Sequence, residues 1–210
     1  MVDSVTSEPA SPVRASVPQD VASASPAQEV TWSSAPISFW MHPAHLLSIG
    51  FGSGLFPLAP GTVATIWAWI VFLMLDPLMN DTAWAVLLVV GVVVGARACT
   101  ITGRALGRAD ASVIVWDEIV AFWCVLWILP RASDPAGFHA LGSVPEWAMQ
   151  VCAFIVFRFF DIAKPPPIRR IDRMTRDGWG VMIDDLLAAA YTLLCCALAL
   201  RLANLFVAWP

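Results

Sequence analysis

The chain has 210 residues, 59% of them hydrophobic and 13% charged, with a formal net charge of −4 and a mean hydropathy of +0.72. Soluble domains carry roughly 25% charged residues, so this composition excludes an ordinary water-soluble globule, and the net negative charge argues against nucleic acid as a partner. The length suits one domain, and the five cysteines lie in or beside apolar runs without the spacing of a zinc site or a secreted disulfide framework.

Residues 1–38 are rich in Ala, Ser, Pro and Val, lack periodicity, and read as a disordered tail. They do not resemble a signal peptide, because no basic segment leads into an apolar run. Residues 39–210 read as a membrane-embedded domain. From Val30 to Leu75 there is no Asp, Glu, Lys or Arg. His42 to Gly61 is interrupted by Gly and Pro, whereas a spanning helix needs about 20 mostly apolar residues. It therefore reads as an interfacial or re-entrant loop. Five spans follow, at about Thr62–Leu78, Ala83–Ile101, Val113–Leu129, Trp147–Ile162 and Asp184–Val207. The predicted fold is an all-α, polytopic membrane helical bundle. Gly91 and Gly95 give the second span a small-xxx-small packing face.

Counting spans places Arg97, Arg104 and Arg108 on the same side as Arg158, Lys164, Arg169, Arg170, Arg173 and Arg176. The other side has only Arg131, with Arg201 near the end of the last span. The positive-inside rule makes the basic side cytoplasmic. Trp84, Trp127, Trp147 and Trp209 fall toward the opposite face, where an aromatic belt is expected.

The same count gathers four features on the basic side: the loop Gly50–Thr62, the pair Asp117-Glu118, the stretch Arg158–Arg173, and the pair Asp184-Asp185. Carboxylates inside an apolar helix cost about 2.5–3.5 kcal/mol each on insertion scales and normally have partners. A buried ion pair with Arg158 or another base, holding the bundle together, is the plainer reading. Convergence of acids from separate segments favours a metal or phosphate site. Asp117, Glu118, Asp184 and Asp185 are the candidate metal ligands, one of them also the base for water. Hard oxygen donors without a His or Cys cluster suit Mg²⁺.

Arg158 and Asp161, spaced i, i+3, share a helix face. Asp161 reads as a further ligand or as the group that orients Arg158. Pro165-Pro166-Pro167 stops the helix just after Lys164. Arg158, Lys164 and Arg173 are the candidate phosphate-binding groups, a guanidinium fork matching phosphate oxygens. The Gly-rich loop reads either as a backbone phosphate cradle or as a tight turn, and lacks the Walker pattern. Cys152 and Arg158 fit a C-x₅-R spacing, but the apolar, helical residues between them argue against a thiolate nucleophile. His45 reads as an acid or base, or as a polar interfacial residue.

Together, HLLSIGFGSG (His45–Gly54), PGT (Pro60–Thr62), SVIVWDE (Ser112–Glu118), FRFFDIAKPPPIRRIDR (Phe157–Arg173) and GWGVMIDD (Gly178–Asp185) resemble the phosphatidylglycerophosphatase A family, in family order. The resemblance implies Mg²⁺-dependent hydrolysis of phosphatidylglycerophosphate to phosphatidylglycerol and phosphate, at the cytoplasmic (inner) membrane, with the site facing the cytoplasm. Ala64, Ala121 and Asp177 depart from glycines common in the family and leave the matching acids and bases intact. The expected partners are the phospholipid substrate and the bilayer; the sequence sets no oligomeric state. The rival reading is an ion- or proton-coupled transporter, since intramembrane acids also mark ion pathways. No internal repeat of the kind common in carriers is present.

Overall fold

Helix ends fall where the sequence supplies capping or breaking chemistry. In the computed structural model, which describes residues 37–108, 111–131, 144–166 and 177–207, every regular element is helical. Two short helices come first, α1 (Ile37–Trp40) and α2 (Pro43–Ser48), then a 3₁₀ turn at Gly50–Leu55. Next is α3 (Pro60–Leu75), which starts on a proline whose fixed φ suits a first helical turn. A 3₁₀ turn, Asp76–Leu78, leads to α4 (Asp81–Leu106), where the Asn80 side chain accepts from the Ala83 N–H at 2.8 Å. Then come α5 (Trp116–Ile128), α6 (Glu146–Ala163) and α7 (Gly178–Val207). Of the expected tail, residues 1–36 lie outside the described residues.

Among the described residues, three helical stretches are long and apolar enough to cross a membrane: Pro60–Leu78, Asp81–Leu106 and Gly178–Leu205. Their outer faces expose Ile70, Val89, Leu198 and similar side chains, as lipid-facing surfaces do. The other two expected spans differ. The α6 helix carries Glu146, Arg158 and Asp161. The α5 helix has only 13 residues, about 20 Å at 1.5 Å per residue, against a hydrocarbon core of about 30 Å.

Burial explains α5. It buries nine of its 13 residues, where α3 buries five of 16. Helices α3, α4, α6 and α7 all pack against it. A helix that is apolar all round belongs in a core, and α5 is the core of this bundle. Phe122 and Phe157 meet there at 5.4 Å between ring centroids, and the Trp123 indole donates to the Ala68 carbonyl at 2.8 Å.

The stretch 42–61 is docked over the start of α5. The Ser48 carbonyl accepts the Val115 N–H at 2.9 Å. On α4, Gly91 and Gly95 form a packing face, and it receives a side chain. The Trp116 indole donates to the Gly91 carbonyl at 3.0 Å, and a β-carbon on Gly95 would overlap the indole ring.

At the opposite end, Arg131 pairs with Asp76 at 3.3 Å and Asp81 at 3.4 Å. Trp84 donates to Asp76 at 3.1 Å and Trp127 to Asp81 at 3.2 Å. Trp84 is fully buried and stacked on Phe72, so it is a core residue and not part of an aromatic belt as expected. Its indole N–H is satisfied by the part-buried Asp76 carboxylate at the end of α3. Trp147 is exposed, as a belt residue would be, and Trp209 lies outside the described residues.

The Trp116 slot gives a test whose sign is diagnostic. Ala is favoured over Gly inside a helix, yet overpacking a filled slot costs about 1–3 kcal/mol. Gly95→Ala is expected to lower the thermal unfolding temperature in detergent; an unchanged or raised value would show that Trp116 does not fill the slot.

Candidate active site

The first turn of α5 carries Asp117 and Glu118, where the positive end of the helix dipole favours anions. The starts of α3 and α7 and the ends of α4 and α6 meet it there. Glu118 lies over Gly61 at the start of α3, so closely that a β-carbon on Gly61 would overlap its carboxyl group. One turn further along α3, the Thr65 hydroxyl donates to the Gly61 carbonyl at 2.8 Å and lies 3.5 Å from Glu118 Oε2.

Near the end of α6, Arg158 reaches Glu118 at 3.0 Å and also pairs with Asp161. Arg158 and Asp161 are thus in contact, on the shared helix face that their i, i+3 spacing predicts. Lys164 terminates α6 in a left-handed conformation, φ 40°, directly before Pro165. Its Nζ lies 3.4 Å from Asp184 on α7.

Asp117, Asp184 and Asp185 are 3%, 1% and 4% exposed. Asp117, Asp161, Glu118 and Lys164 all act electrostatically on Asp185. Seven of the eight expected site residues thus share one neighbourhood, and the eighth, Arg173, lies outside the described residues. Both members of the α7 acidic pair are buried.

Among the described residues, this neighbourhood sets five carboxyl groups against two cations, Arg158 and Lys164. No three of the described His, Cys, Asp or Glu side chains form a ready-made metal cage. Asp185 Oδ2 is nevertheless buried without a hydrogen-bond partner. Mg²⁺ usually takes one or two carboxylates and fills its remaining positions with water and substrate phosphate. An all-oxygen donor set with an unused buried carboxylate oxygen fits that requirement.

The Gly-rich loop is a tight turn. Gly50, Phe51 and Gly52 have φ values of 56°, 56° and 105°. The N–H groups of Gly52 and Gly54 both donate to the Ile49 carbonyl, at 3.1 and 3.0 Å, so these two donors are engaged inside the turn. His45 is a structural residue on α2. Its Nδ1 lies 2.8 Å from Thr102 Oγ1, and Ser48 Oγ lies 2.6 Å from the same oxygen, tying α2 to α4. Burial, with a smaller contribution from His42, lowers its pKa and favours the neutral imidazole. Cys152 and Arg158 lie on one continuous helix, so no phosphate-binding loop joins them.

Sequence reasoning missed Thr65, which lies one turn beyond Gly61 and beside Glu118. Cys99, on α4, is fully buried in the core, in keeping with the apolar run around it. A cavity of about 740 Å³ between the later parts of α5 and α7, lined by Leu193, Leu200 and Arg201 among others, lies away from the acids.

The family model for phosphatidylglycerophosphatase A matches residues 46–200. A phosphatidylglycerophosphatase A from Haemophilus influenzae is 37% identical over 154 residues, covering 73% of this chain and 86% of that protein. The Escherichia coli protein of the same name is 35% identical over 147 residues, covering 70% and 77%. A Bacteroides thetaiotaomicron protein provisionally named phosphatidylinositol-3-phosphatase is 35% identical over 159 residues, covering 73% and 91%. No solved structure matches the chain.

The ion-pair geometry predicts a stability effect. Removing one partner from a buried pair costs about 3–5 kcal/mol, because the other charge stays behind. Arg158 and Glu118 are part-buried, their side chains 14% and 15% exposed, so Arg158→Met is expected to destabilise the detergent-solubilised protein by less than that, and adding Glu118→Gln is expected to recover part of the loss. A single variant that unfolds like the parent would show that Arg158 does not neutralise these acids.

Proposed function

The chain belongs to the phosphatidylglycerophosphatase A family, and on that premise we propose that it hydrolyses phosphatidylglycerophosphate to phosphatidylglycerol and phosphate with Mg²⁺ held in the acid cluster. It is a lipid phosphatase of phospholipid biosynthesis. The observation that supports the site assignment is the convergence of acids from α5, α6 and α7 on the start of the buried helix, next to two cations.

Uncatalysed phosphate-monoester hydrolysis is among the slowest of reactions, and enzymes accelerate it by up to about 10²¹-fold. The burden falls on stabilising charge at the transferred phosphoryl group. Arg158 and Lys164 hold the phosphoryl oxygens, Arg158 aimed by Glu118 and Asp161, Lys164 by Asp184. Asp117 and Asp185, supported by Glu118 and Asp184, are the residues that would hold Mg²⁺. The metal supplies Lewis-acid stabilisation of the phosphoryl oxygens when bound. A carboxylate of the cluster takes a proton from water as the water oxygen bonds to phosphorus. The bond from phosphorus to the glycerol oxygen breaks, and that oxygen takes a proton from a second carboxyl group of the cluster, which the proton removed from water then replaces. Arg173 is assigned to phosphate binding by its place in the matching motif.

In this reading all five long helices belong to a membrane domain spanning 39–210, with α5 enclosed at its centre. The stretch 42–61 forms an interfacial seat, and 1–38 is a tail outside the catalytic unit. Arg97, Arg104 and Arg108 place the site toward the cytoplasm by the positive-inside rule, in the inner membrane. The Bacteroides relative's name gives a second substrate class to compare, phosphatidylinositol 3-phosphate.

The test is phosphate release by purified protein from both lipids, as a function of Mg²⁺ concentration, for the parent and for Asp117→Asn, Glu118→Gln, Asp184→Asn and Asp185→Asn. The expected substrate is phosphatidylglycerophosphate. Loss of a ligand is expected to move the Mg²⁺ dependence to higher concentration. Loss of the base is expected to lower kcat about 10²–10⁴-fold with metal affinity unchanged. Four folded variants with near-normal rates would remove the proposed site, and no phosphate release by the parent would leave the transporter reading.

A further inference from the structure

Three apolar side chains in the segment leading into α3 have little of their surface covered. Phe51 is 60% exposed, Phe56 52% and Leu58 75%. They belong to the stretch from Val30 to Leu75 that has no charged residue, and they end just before the first membrane-crossing helix begins at Pro60. That position is the membrane–water boundary, where aromatic side chains are favoured.

The backbone holds Phe51 in an unusual way. Its φ and ψ are 56° and 28°, and a bulky residue in the left-handed region is an outlier. Such conformations persist only where the surroundings enforce them. Here Gly50 packs closely against Ser53 of the same turn, Ile119 of α5 and Val115 just before it, and a β-carbon at Gly50 would crowd all three side chains. The result is a ring that stays largely open yet touches the site's foundation. Phe51 meets Trp116 edge-on, with centroids 6.0 Å apart and planes at 78°. Trp116 directly precedes Asp117. At the other end of the segment, Leu58 lies three residues before Gly61, on which Glu118 rests. The exposed rim is thus joined to the first acidic turn from both ends.

We propose that Phe51, Phe56 and Leu58 form the seat for the acyl-glycerol part of the phospholipid substrate, beside the acid cluster that receives its phosphate. This rests on the phosphatase reading. A diacyl substrate must present its phosphate to the buried acids while its chains remain in the leaflet. An apolar rim at the boundary keeps the upper chain segments out of water during that approach, an effect proportional to the apolar area covered.

Two measurements test the seat. In the first, p-benzoylphenylalanine is placed at position 51 of the full chain in vesicles, which contain either a non-hydrolysable phosphonate analogue of phosphatidylglycerophosphate or phosphatidylcholine with the same chains. Preferential lipid adducts with the phosphonate support the seat. Equal adducts with both would identify ordinary boundary lipid, and a product of twice the chain mass would identify a second copy; either overturns it. In the second, Phe51→Ala, Phe56→Ala and Leu58→Ala are combined. The KM for long-chain substrate in mixed micelles is expected to rise about tenfold, as loss of apolar burial implies. The kcat, and the turnover of a monomeric dihexanoyl substrate, are expected to stay within about twofold. An unchanged long-chain KM, or an equal loss on both substrates, overturns the proposal. A parent protein inactive on both lipids would defeat the phosphatase reading instead, and the adduct pattern would still decide the seat.

Discussion

Carboxyl groups placed together inside an apolar bundle repel one another and lose their hydration, and the remainder of this structure is organised around keeping them in place. The acids Asp117 and Glu118 open a helix that is itself largely buried, Asp117 within it and Glu118 part-buried beside it. Each restraint on that helix has a visible origin. The Trp116 indole is held in the Gly91/Gly95 slot, the Val115 N–H is bound by Ser48, and Glu118 rests on Gly61 while pairing with Arg158. Insertion costs of about 2.5–3.5 kcal/mol per charged side chain make such a cluster expensive to build for stability alone. Replacing buried ion pairs with apolar side chains is often neutral or stabilising, so this arrangement points to chemistry.

The bundle divides its labour by helix. The α3, α4 and α7 helices present apolar outer faces and give the domain its membrane character. The α5 helix contributes little outer surface and serves as the post on which the acids stand. The α6 helix ends in the two cations, and the Pro165 step after Lys164 fixes where the second one is delivered. At the far end, Arg131, Asp76 and Asp81 close the bundle with an ion-pair group of their own. The acid and base cluster therefore lies at one end of the bundle and this second ion-pair group at the other.

Much of this was legible in the sequence because membrane topology is a counting problem. An alternating up-and-down path brings Asp117, Arg158, Lys164 and Asp184 to one end whatever the details of packing, and the i, i+3 spacing placed Asp161 beside Arg158. What was not legible depended on telling protein from lipid, since both are apolar. The run around α5 looked like a lipid-facing span, and only its partners reveal that protein encloses it on most sides. Trp84 looked like a belt residue for the same reason. Gly91 and Gly95 announced a close approach, but not that a tryptophan ring would occupy it. The Gly-rich loop could not be assigned between cradle and turn until the hydrogen bonds of Gly52 and Gly54 were in view.

The central claim is that acids from separate helices form one site, and coupling between helices tests it more directly than the loss of any single residue. The measurement is a double-mutant cycle in Mg²⁺ affinity, by titration calorimetry, across Asp117→Asn on α5 and Asp185→Asn on α7. If both carboxylates hold one ion, their effects are predicted to be strongly non-additive, beyond the about 0.3–0.5 kcal/mol within which independent sites add. Two folded single variants whose effects simply sum, or that bind Mg²⁺ like the parent, would contradict a shared site.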